Sequence, residues 1–252
     1  MFDIHHYSSF LITILIFQLV PGAGTIAILN RNLPHKIRSN SMYLPSHFEE
    51  SRSDVLHGLI RSHPLATVVT LSKDGINANH IPLLISPESG QFGVLRGHIA
   101  RSNSMWSDLV QDVDALAIFQ GPDSYISPSW YPTKQEHGKV VPTWNYAVVH
   151  AYGSLRIIDN VEWVRNLVES LTNQQEAGFS KPWAVSDAPS DYTDRLIESI
   201  VGFEIVISKL TGKWKVSQNQ PAQNQEGVVK GLKDRGNNSS LEMATLIEEK
   251  LT

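Results

Sequence analysis

The sequence predicts a mainly β fold with inserted helices, an α+β class, built as a closed or split β-barrel. Six segments rich in β-branched and aromatic residues have the pattern of strands, and turn signals join the early ones. Most helical patterns come after these first strands and do not alternate with them. Locally paired strands with late helices favour an antiparallel barrel over a parallel sheet.

The first elements are a helix and a hairpin. A helix is predicted over 51–64, where apolar residues recur at helical spacing, Ser53 can cap the start and Pro64 ends the pattern. The β-branched run 65–71 then leads through the turn signal SKDG into a strand over 76–85. This turn chemistry is typical of a β-hairpin.

The middle of the chain adds more strands. A strand over 92–99 follows a second turn, and 104–112 has the pattern of a short helix. Further strands are predicted over 114–121 and 148–159.

The last third is richer in helices. Asn160 can cap an amphipathic helix over 160–176, and a second helix is predicted over 190–200. The segment 202–218 is interpreted as an edge pair of strands around a Thr-Gly turn. A capping box predicts a final helix over 239–251.

Composition limits the classes of function. The 252 residues are 41% hydrophobic, carry a formal net charge of -4 and include no cysteine. A disulfide framework, a thiolate metal site and a cysteine nucleophile are therefore excluded, and a cytoplasmic chain is the simplest fit. The mild acidity argues against a broad basic face for nucleic acid. No P-loop, GxGxxG or zinc-type spacing is present.

The first forty-one residues differ from the rest. Residues 10–29 are almost continuously apolar and uncharged, and as a helix they would be long enough to span a bilayer. If they insert, the basic residues that follow them would keep the rest of the chain in the cytoplasm. The run resembles the first transmembrane helix of LysE-type amino-acid exporters. We expect 1–41 to be a fused or truncated fragment, with a single-helix membrane anchor as the alternative. A domain over 42–232 and a polar linker with a short helix over 233–252 would follow.

One polar motif, LRGHIARSNSMW (95–106), stands at a strand-to-helix junction. It brings together Arg96, His98, Arg101 and Asn103. Backbone N–H groups at a helix start and a guanidinium fork together suit a phosphate. Solvated surface arginines are the alternative interpretation.

Two aromatic stretches could form the walls of a pocket. Residues 122–133 combine Tyr125 and other aromatics with three prolines, and 140–153 contain Trp144 and Asn145 among small apolar residues. Large rings with one polar atom can stack on a flat ligand and hydrogen-bond to its edges. A packed surface loop is the alternative for any one of these aromatics.

A lysine pair follows near the end of the β region. Lys213 and Lys215 would share one strand face, and Gln218 comes shortly after them. Alternate lysines on an edge strand commonly block edge pairing, and here they could also add charge to a phosphate pocket.

Histidines and carboxylates give little support to catalysis. His80, His98 and His150 could meet in space, yet each is more typical of a hydrogen-bonded pocket or core residue. A haem site with His98 or His150 as axial ligand is a further alternative. Because the polar motifs contain no paired carboxylates, the sequence favours binding over turnover.

These motifs together resemble the PaiB-type FMN-binding negative transcriptional regulators. The resemblance runs from Met42 to about Leu232 and is carried by MYLPSHFEE (42–50), LRGHIARSN (95–103), YISPSWY (125–131), VPTWNYAVVHAYG (141–153) and GKWKVSQNQ (212–220). It implies an FMN-binding split barrel of the pyridoxamine-phosphate-oxidase-like type. It also implies a homodimer with FMN in the groove between the subunits.

The resemblance assigns one set of residues to the phosphate end of FMN. Arg101 and the turn from Ala100 to Asn103 would hold the phosphate. Arg96 and His98 would lie near the ribityl chain or the phosphate.

A second set is assigned to the rest of the cofactor. Trp144 and Asn145, contributed by the partner subunit, would face the cofactor. Lys215 and Gln218 would close the site.

The function implied is negative regulation of transcription through flavin or redox sensing. The sequence contains neither a helix-turn-helix pattern nor a basic recognition segment, so no DNA-binding segment can be recognised in it. A small FMN-dependent oxidoreductase with NAD(P)H as donor is the alternative. A membrane contact is expected only if residues 10–29 insert.

Overall fold

The computed structural model of the chain describes residues 42–110 and 112–251. The predicted apolar segment 10–29 and the predicted fragment 1–41 lie outside this range. Within it, every helix is too short or too polar to cross a bilayer.

Within the described part of the chain, eight β-strands form a single antiparallel sheet. They are β1 (Glu49–Glu50), β2 (Leu65–Ser72), β3 (Gly75–Pro82), β4 (Leu84–Ser86), β5 (Val94–Ala100), β6 (Ala115–Ile126), β7 (Thr143–Ile158) and β8 (Ile200–Lys215). Their order across the sheet is β3-β2-β6-β7-β8-β5-β4, and β1 pairs with β8 beside this path.

The sheet curls until its two ends approach each other. Asn103, in the turn after β5, donates from its side-chain amide to the Asn79 side-chain oxygen on β3 at 2.8 Å. The ends meet through side chains, since no backbone ladder joins β3 to β5 among the described strands. A barrel left open in this way is a split β-barrel, which confirms the predicted fold class.

The core fills the inside of the curl. Alternate residues of the long strands point inward, and Val68, Leu95, Phe119, Phe203 and Ile205 are all completely buried. Alternation of this kind follows from the two-residue period of a strand.

The described residues include six α-helices, which pack around the sheet. They are α1 (Ser53–Ser62), α2 (Thr133–His137), α3 (Val161–Glu176), α4 (Ser190–Glu198), α5 (Ala222–Arg235) and α6 (Asn238–Leu251). Helix α3 lies against the outer face of β8, where Gly202 leaves room for Trp163: an added Cβ would come within 2.3 Å of the Trp163 ring.

The two C-terminal helices form a hairpin on the barrel. On α5, Gly231 lies directly against Trp130, whose ring would be 2.3 Å from an added Cβ. On α6, Ser239 donates to the carbonyl of Asp123 at 2.6 Å. The predicted helix over 239–251 is therefore confirmed, whereas α5 was not predicted because its sequence is mostly polar and contains two glycines.

The predicted edge pair over 202–218 is wrong. β8 runs unbroken through the expected turn, since Thr211 and Gly212 pair in register with His150 and Val149 of β7. Gly212 serves close packing here, because an added Cβ would lie 2.2 Å from a Leu56 methyl group. β8 is thus central, and its lysines do not protect an edge.

The predicted helix over 104–112 is also largely wrong. Only Ser104–Trp106 is helical, as one turn of 3-10 helix. Asn103 caps it by accepting a bond from the Met105 backbone N–H at 2.9 Å. After it, Leu109 forms an isolated bridge with Ser72, and the Val110 N–H donates to the Leu71 carbonyl at 2.9 Å.

Candidate functional site

The predicted site residues fall into two groups in the folded chain. We call Arg96, His98, Ala100, Arg101 and Asn103 the β5 cluster, because they lie on β5 and in the turn after it. We call Trp144, Asn145, Lys215 and Gln218 the β7–β8 cluster, because they lie at the start of β7 and at the end of β8.

Arg101 is held by groups of its own chain. Its Nε donates to the Glu198 carbonyl at 2.7 Å, and its two terminal nitrogens bond both oxygens of Asp159. The Arg101 hydrogen bond lowers the pKa of Asp159, so this carboxylate is ionised at neutral pH. A phosphate on Arg101 would therefore share the guanidinium with Asp159 or displace Asp159 from it.

The turn after Ala100 is tightly fixed. The Arg101 N–H donates to the Ser199 carbonyl, and the Asn103 N–H donates to the Ala100 carbonyl, both at 2.9 Å. Asn103 also spans to Asn79, as described above. The turn is thus preorganised, although the 3-10 helix behind it is too short to add a helix dipole of any size.

Arg96 belongs to an ion triad on the outer face of the sheet. Its Nε lies 3.4 Å from one oxygen of Glu204, and Arg156 Nη2 lies 2.7 Å from the other. Glu204 is 5% exposed, so this carboxylate needs both cations. Strand register explains the arrangement, because Arg96 and Arg156 flank Glu204 on neighbouring strands.

His98 is the least satisfied member of the β5 cluster. Its Nδ1 is buried and has no hydrogen-bond partner among the described residues. Burial lowers the pKa of His98, so the imidazole is neutral at pH 7. A neutral imidazole with an unused nitrogen can donate to or accept from a ligand.

Trp144 and Asn145 face opposite sides of β7. Trp144 is 55% exposed and packs edge-to-face on Tyr125, with ring centroids 6.0 Å apart. Asn145 is 1% exposed, and its amide donates to Ser217 Oγ at 2.8 Å while its oxygen has no partner among the described residues. A ring stacked on Trp144 would therefore not touch the Asn145 side chain from the same side.

Lys215 and Gln218 make short local bonds. Lys215 Nζ donates to Thr143 Oγ1 at 2.6 Å, which ties the end of β8 to the start of β7. Gln218 accepts from the Val216 N–H at 2.8 Å and donates to the Trp214 carbonyl. Between them Ser217 has a φ of 62°, a conformation that non-glycine residues adopt only when neighbours hold it.

One chain does not bring the two clusters together. Ala100 pairs with Ile200 at the start of β8, whereas Tyr146 pairs with Lys215 at its end. The fifteen residue steps between Ile200 and Lys215 (215 minus 200) correspond to about 50 Å along the strand path. Among the described residues, no hydrogen bond or ion pair joins a member of one cluster to a member of the other.

An apolar sheet face remains uncovered beside the clusters. On the outer face of β2 and β3, Leu65 is 61% exposed and Ile76 is 81% exposed. Half-buried Val69 lies on the same face, and the row continues through Ile118 on β6. The Thr67–His80 pair lies between Leu65 and Val69 on this face. An exposed face that is mostly apolar is typical of a protein contact.

Four residues of the β5 cluster's surroundings were not predicted. They are Asn79, Asp159, Arg156 and Glu204. Each comes from another strand or from a strand end, so no local sequence pattern connects it with residues 95–106. Only the strand register brings them together.

The donor set fits FMN. Two guanidiniums, a neutral imidazole and a capped turn in the β5 cluster suit phosphate and ribityl oxygens, and the exposed Trp144 ring suits an isoalloxazine. A curled antiparallel sheet with these clusters defines a flavin-binding split barrel.

The chain belongs to the family described as "Putative FMN-binding domain", whose model matches residues 42–209. FMN is the cofactor of this family, as the sequence motifs imply.

Two relatives cover most of the chain. The Emericella nidulans protein AN0679 is 34% identical over 244 residues, covering 83% of this chain and 97% of the relative. The Bacillus subtilis "Protease synthase and sporulation protein PAI 2" is 30% identical over 210 residues, covering 83% and 98%. The resemblance to PaiB-type proteins is thereby confirmed.

Solved structures with a similar fold include two mycobacterial proteins. Rv2991 of Mycobacterium tuberculosis has a TM-score of 0.48 at 13% identity, with 71% of this chain and 94% of that chain covered. An FAD and haem binding protein of Mycobacterium smegmatis has a TM-score of 0.46 at 14% identity, with 72% and 78% covered.

Proposed function

We propose that this chain is a cytoplasmic negative transcriptional regulator that works as a homodimer and senses flavin state. FMN would lie in the groove between the two subunits. The observation that carries the proposal is the separation of the β5 cluster from the β7–β8 cluster within one chain. The uncovered apolar face on β2 and β3 supplies the surface on which a second copy would pack.

In this arrangement the β5 cluster of one subunit holds the phosphate end. Arg101 gives the guanidinium fork and Asn103 fixes the turn, while Arg96 and His98 line the ribityl chain. Ala100 ends β5 and lets the turn approach the ligand.

The β7–β8 cluster of the partner holds the ring end. Trp144 stacks on the ring, and Lys215 sets the local charge. Asn145 and Gln218 act as positioning residues, because both side chains bond groups of the turn around Ser217 and Asn145 faces away from Trp144. Bound FMN supplies reversible one- and two-electron redox chemistry, so the chain itself need only hold and tune it.

Regulation is favoured over turnover by the carboxylates near the β5 cluster. Glu204 is buried and ion-paired to Arg96 and Arg156, so it is not a free general base. The Bacillus subtilis relative is named a protease synthase and sporulation protein, which supports a regulatory role. The proposal has repression follow from a flavin-dependent change in the dimer, since no DNA-recognition motif is visible in the sequence.

A small FMN-dependent oxidoreductase with NAD(P)H as donor is the second candidate. Trp144 would cover one face of the isoalloxazine, and a nicotinamide donor would use the opposite face to pass a hydride to the flavin.

Titration of the full chain with FMN tests the shared part of both candidates. Saturable binding of about one FMN per chain, with a shifted flavin spectrum, is expected. Absence of saturable uptake would refute both. Steady NADH consumption by the FMN-loaded protein would then favour the oxidoreductase, and stable oxidised flavin would favour the regulator.

A further inference from the structure

A large cleft lies away from the proposed flavin groove, between α1 and α6. Its volume is about 830 Å³, within the range typical of small-molecule sites. Trp214 of β8 points into it and is 4% exposed. Because side chains alternate along a strand, Lys213 and Lys215 point to the other side of β8. The cleft and Lys215 of the β7–β8 cluster therefore lie on opposite faces of one strand.

The middle of the cleft is apolar. Its walls there are Val55 and Leu59 from α1, Leu246 from α6, Pro122 from the bulge in β6, and Trp214. Residues of this kind gain from contact with an apolar ligand body.

One end of the cleft is strongly polar. Glu50 is 5% exposed and accepts bonds from Arg52 Nη2 at 2.8 Å and from Lys250 Nζ at 3.1 Å. These bonds tie the C-terminal helix to the start of α1 and close this end. The polar groups farther along the cleft are Ser62, His63, Glu242 and Thr245.

Gly58 keeps the centre of the cleft open. It lies inside α1, where glycine costs about 0.5–1 kcal/mol relative to alanine. An added Cβ at Gly58 would have no atom within 4 Å, whereas Gly227 and Gly231 of α5 are needed for close contact with Trp130 or its neighbours. Packing therefore explains the two α5 glycines and not Gly58. What Gly58 provides is empty volume in the cleft that it lines.

The charge of the lining indicates the kind of ligand. Three carboxylates (Glu50, Glu242 and Glu249) face two cations (Arg52 and Lys250), which gives a formal charge of -1 with His63 counted as neutral. Glu50 is already committed to both cations. Glu242 projects from the exposed side of α6 beside the apolar middle.

We propose that the α1–α6 cleft binds a small amphipathic organic cation, an aryl- or alkylamine. Its apolar body would lie over Trp214 and Gly58, and its ammonium group would pair with Glu242. The proposal concerns a different face of the chain from the flavin groove and stands or falls independently of FMN binding.

Calorimetric titration of the full chain with three matched probes tests this directly. The probes are 4-phenylbutylamine, 4-phenylbutanol and 4-phenylbutyrate, which differ in charge and share a phenylalkyl body that is one methylene shorter in the butyrate. We expect saturable binding of the amine at about one per chain, with the alcohol at least about threefold weaker and the butyrate at least about tenfold weaker. Butyrate binding as tight as amine binding would overturn the charge assignment, and no saturable amine binding would overturn the site.

Two substitutions at one position locate the site. Gly58→Leu fills the cleft and should weaken amine binding at least about tenfold, while Gly58→Ala should change it by less than about threefold. Both variants should melt no lower than the parent, since each residue favours a helix over glycine. FMN affinity should be unchanged in both. Amine affinity that survives Gly58→Leu in a folded protein would place the ligand elsewhere and refute the proposal.

Discussion

Arg101 forms an ion pair within its own chain, and this pair limits how strongly Arg101 can bind a ligand. The guanidinium is already hydrogen-bonded to Asp159 and to the Glu198 carbonyl. The binding free energy that FMN gains from Arg101 is therefore only the difference between the phosphate contact and these existing contacts. A dianionic phosphate with three acceptor oxygens competes well against one exposed carboxylate.

Replacing Arg101 should therefore weaken cofactor binding without unfolding the protein. We expect Arg101→Ala to raise the Kd for FMN at least about tenfold, or about 1.4 kcal/mol. Flavin fluorescence titration gives the value. Arg165→Ala is the matched control, because the Arg165–Asp194 pair has nearly the same exposure as the Arg101–Asp159 pair. An Arg101→Ala protein with parental FMN affinity would remove this residue from the phosphate role.

The ion pairs of Glu50 predict how the stability of the fold depends on pH. The side-chain hydrogen bond from Arg52, with smaller help from Lys250, lowers the pKa of Glu50 from 4.5 to about 2. Because the folded pKa is the lower one, Glu50 stabilises the fold above pH 4.5, and this contribution is lost as pH falls from 4.5 towards 2. It amounts to at most about 3 kcal/mol.

Glu50→Gln should thus lower the free energy of unfolding at pH 7 and flatten the acid limb of the stability curve. Urea unfolding at a series of pH values measures both effects. Glu49→Gln, on the exposed neighbour, should leave the curve close to that of the parent. The explanation fails if Glu50→Gln and the parent lose stability equally between pH 4.5 and 2.

At the scale of elements, two glycines with opposite surroundings test the packing. Gly153 lies at the bulge where β7 changes register against β8, and an added Cβ would come within 2.1 Å of the Val206 carbonyl oxygen. Gly58 of α1 has open space instead. We expect Gly153→Ala to destabilise by about 2 kcal/mol or more, and Gly58→Ala to stabilise by about 0.5–1 kcal/mol.

Chemical denaturation of the two variants under identical conditions provides the comparison. Equal and small changes would mean that the bulge can relax, contrary to the close approach described for Gly153.

Elements whose cause is local were predictable from the sequence. The apolar stripe over 160–176 and the turn SKDG each formed the expected helix and hairpin, because neighbours in sequence decide them. β8 was mispredicted because Gly212 looks like a turn residue. A glycine is needed at this position because β1 and Leu56, more than 150 residues away in sequence, approach it closely.

The candidate site likewise has a part that the sequence predicts and a part that it does not. Residue types in the β5 cluster indicated an oxyanion site from sequence alone. Their partners Asp159 and Glu204 could not be predicted, since strand register and not sequence spacing brings them near Arg101 and Arg96.

At the scale of the whole molecule, assembly and cofactor binding should be linked. If each groove uses two subunits, FMN stabilises the dimer and the dimer raises FMN affinity. A charge on the uncovered apolar face should therefore disturb both. We expect Leu65→Glu to shift the protein towards monomer and to weaken FMN binding at least about tenfold.

Light scattering after size-exclusion chromatography reports the mass, and titration reports the affinity. Phe179→Glu is the control, because Phe179 is 64% exposed, like Leu65, and lies after α3, away from β2 and β3. A Leu65→Glu protein that remains dimeric with parental FMN affinity would exclude this face from the contact.

The claim that one groove combines clusters from two chains is tested most directly by mixing two damaged proteins. Arg101→Ala and Trp144→Ala should each bind FMN weakly as homodimers. After mixing and subunit exchange, a heterodimer would have one site with both defects and one site with neither. The account predicts that tight FMN binding returns at up to about a quarter of all sites. If mixing restores no tight binding although heterodimers have formed, the site lies within a single chain and the account is contradicted.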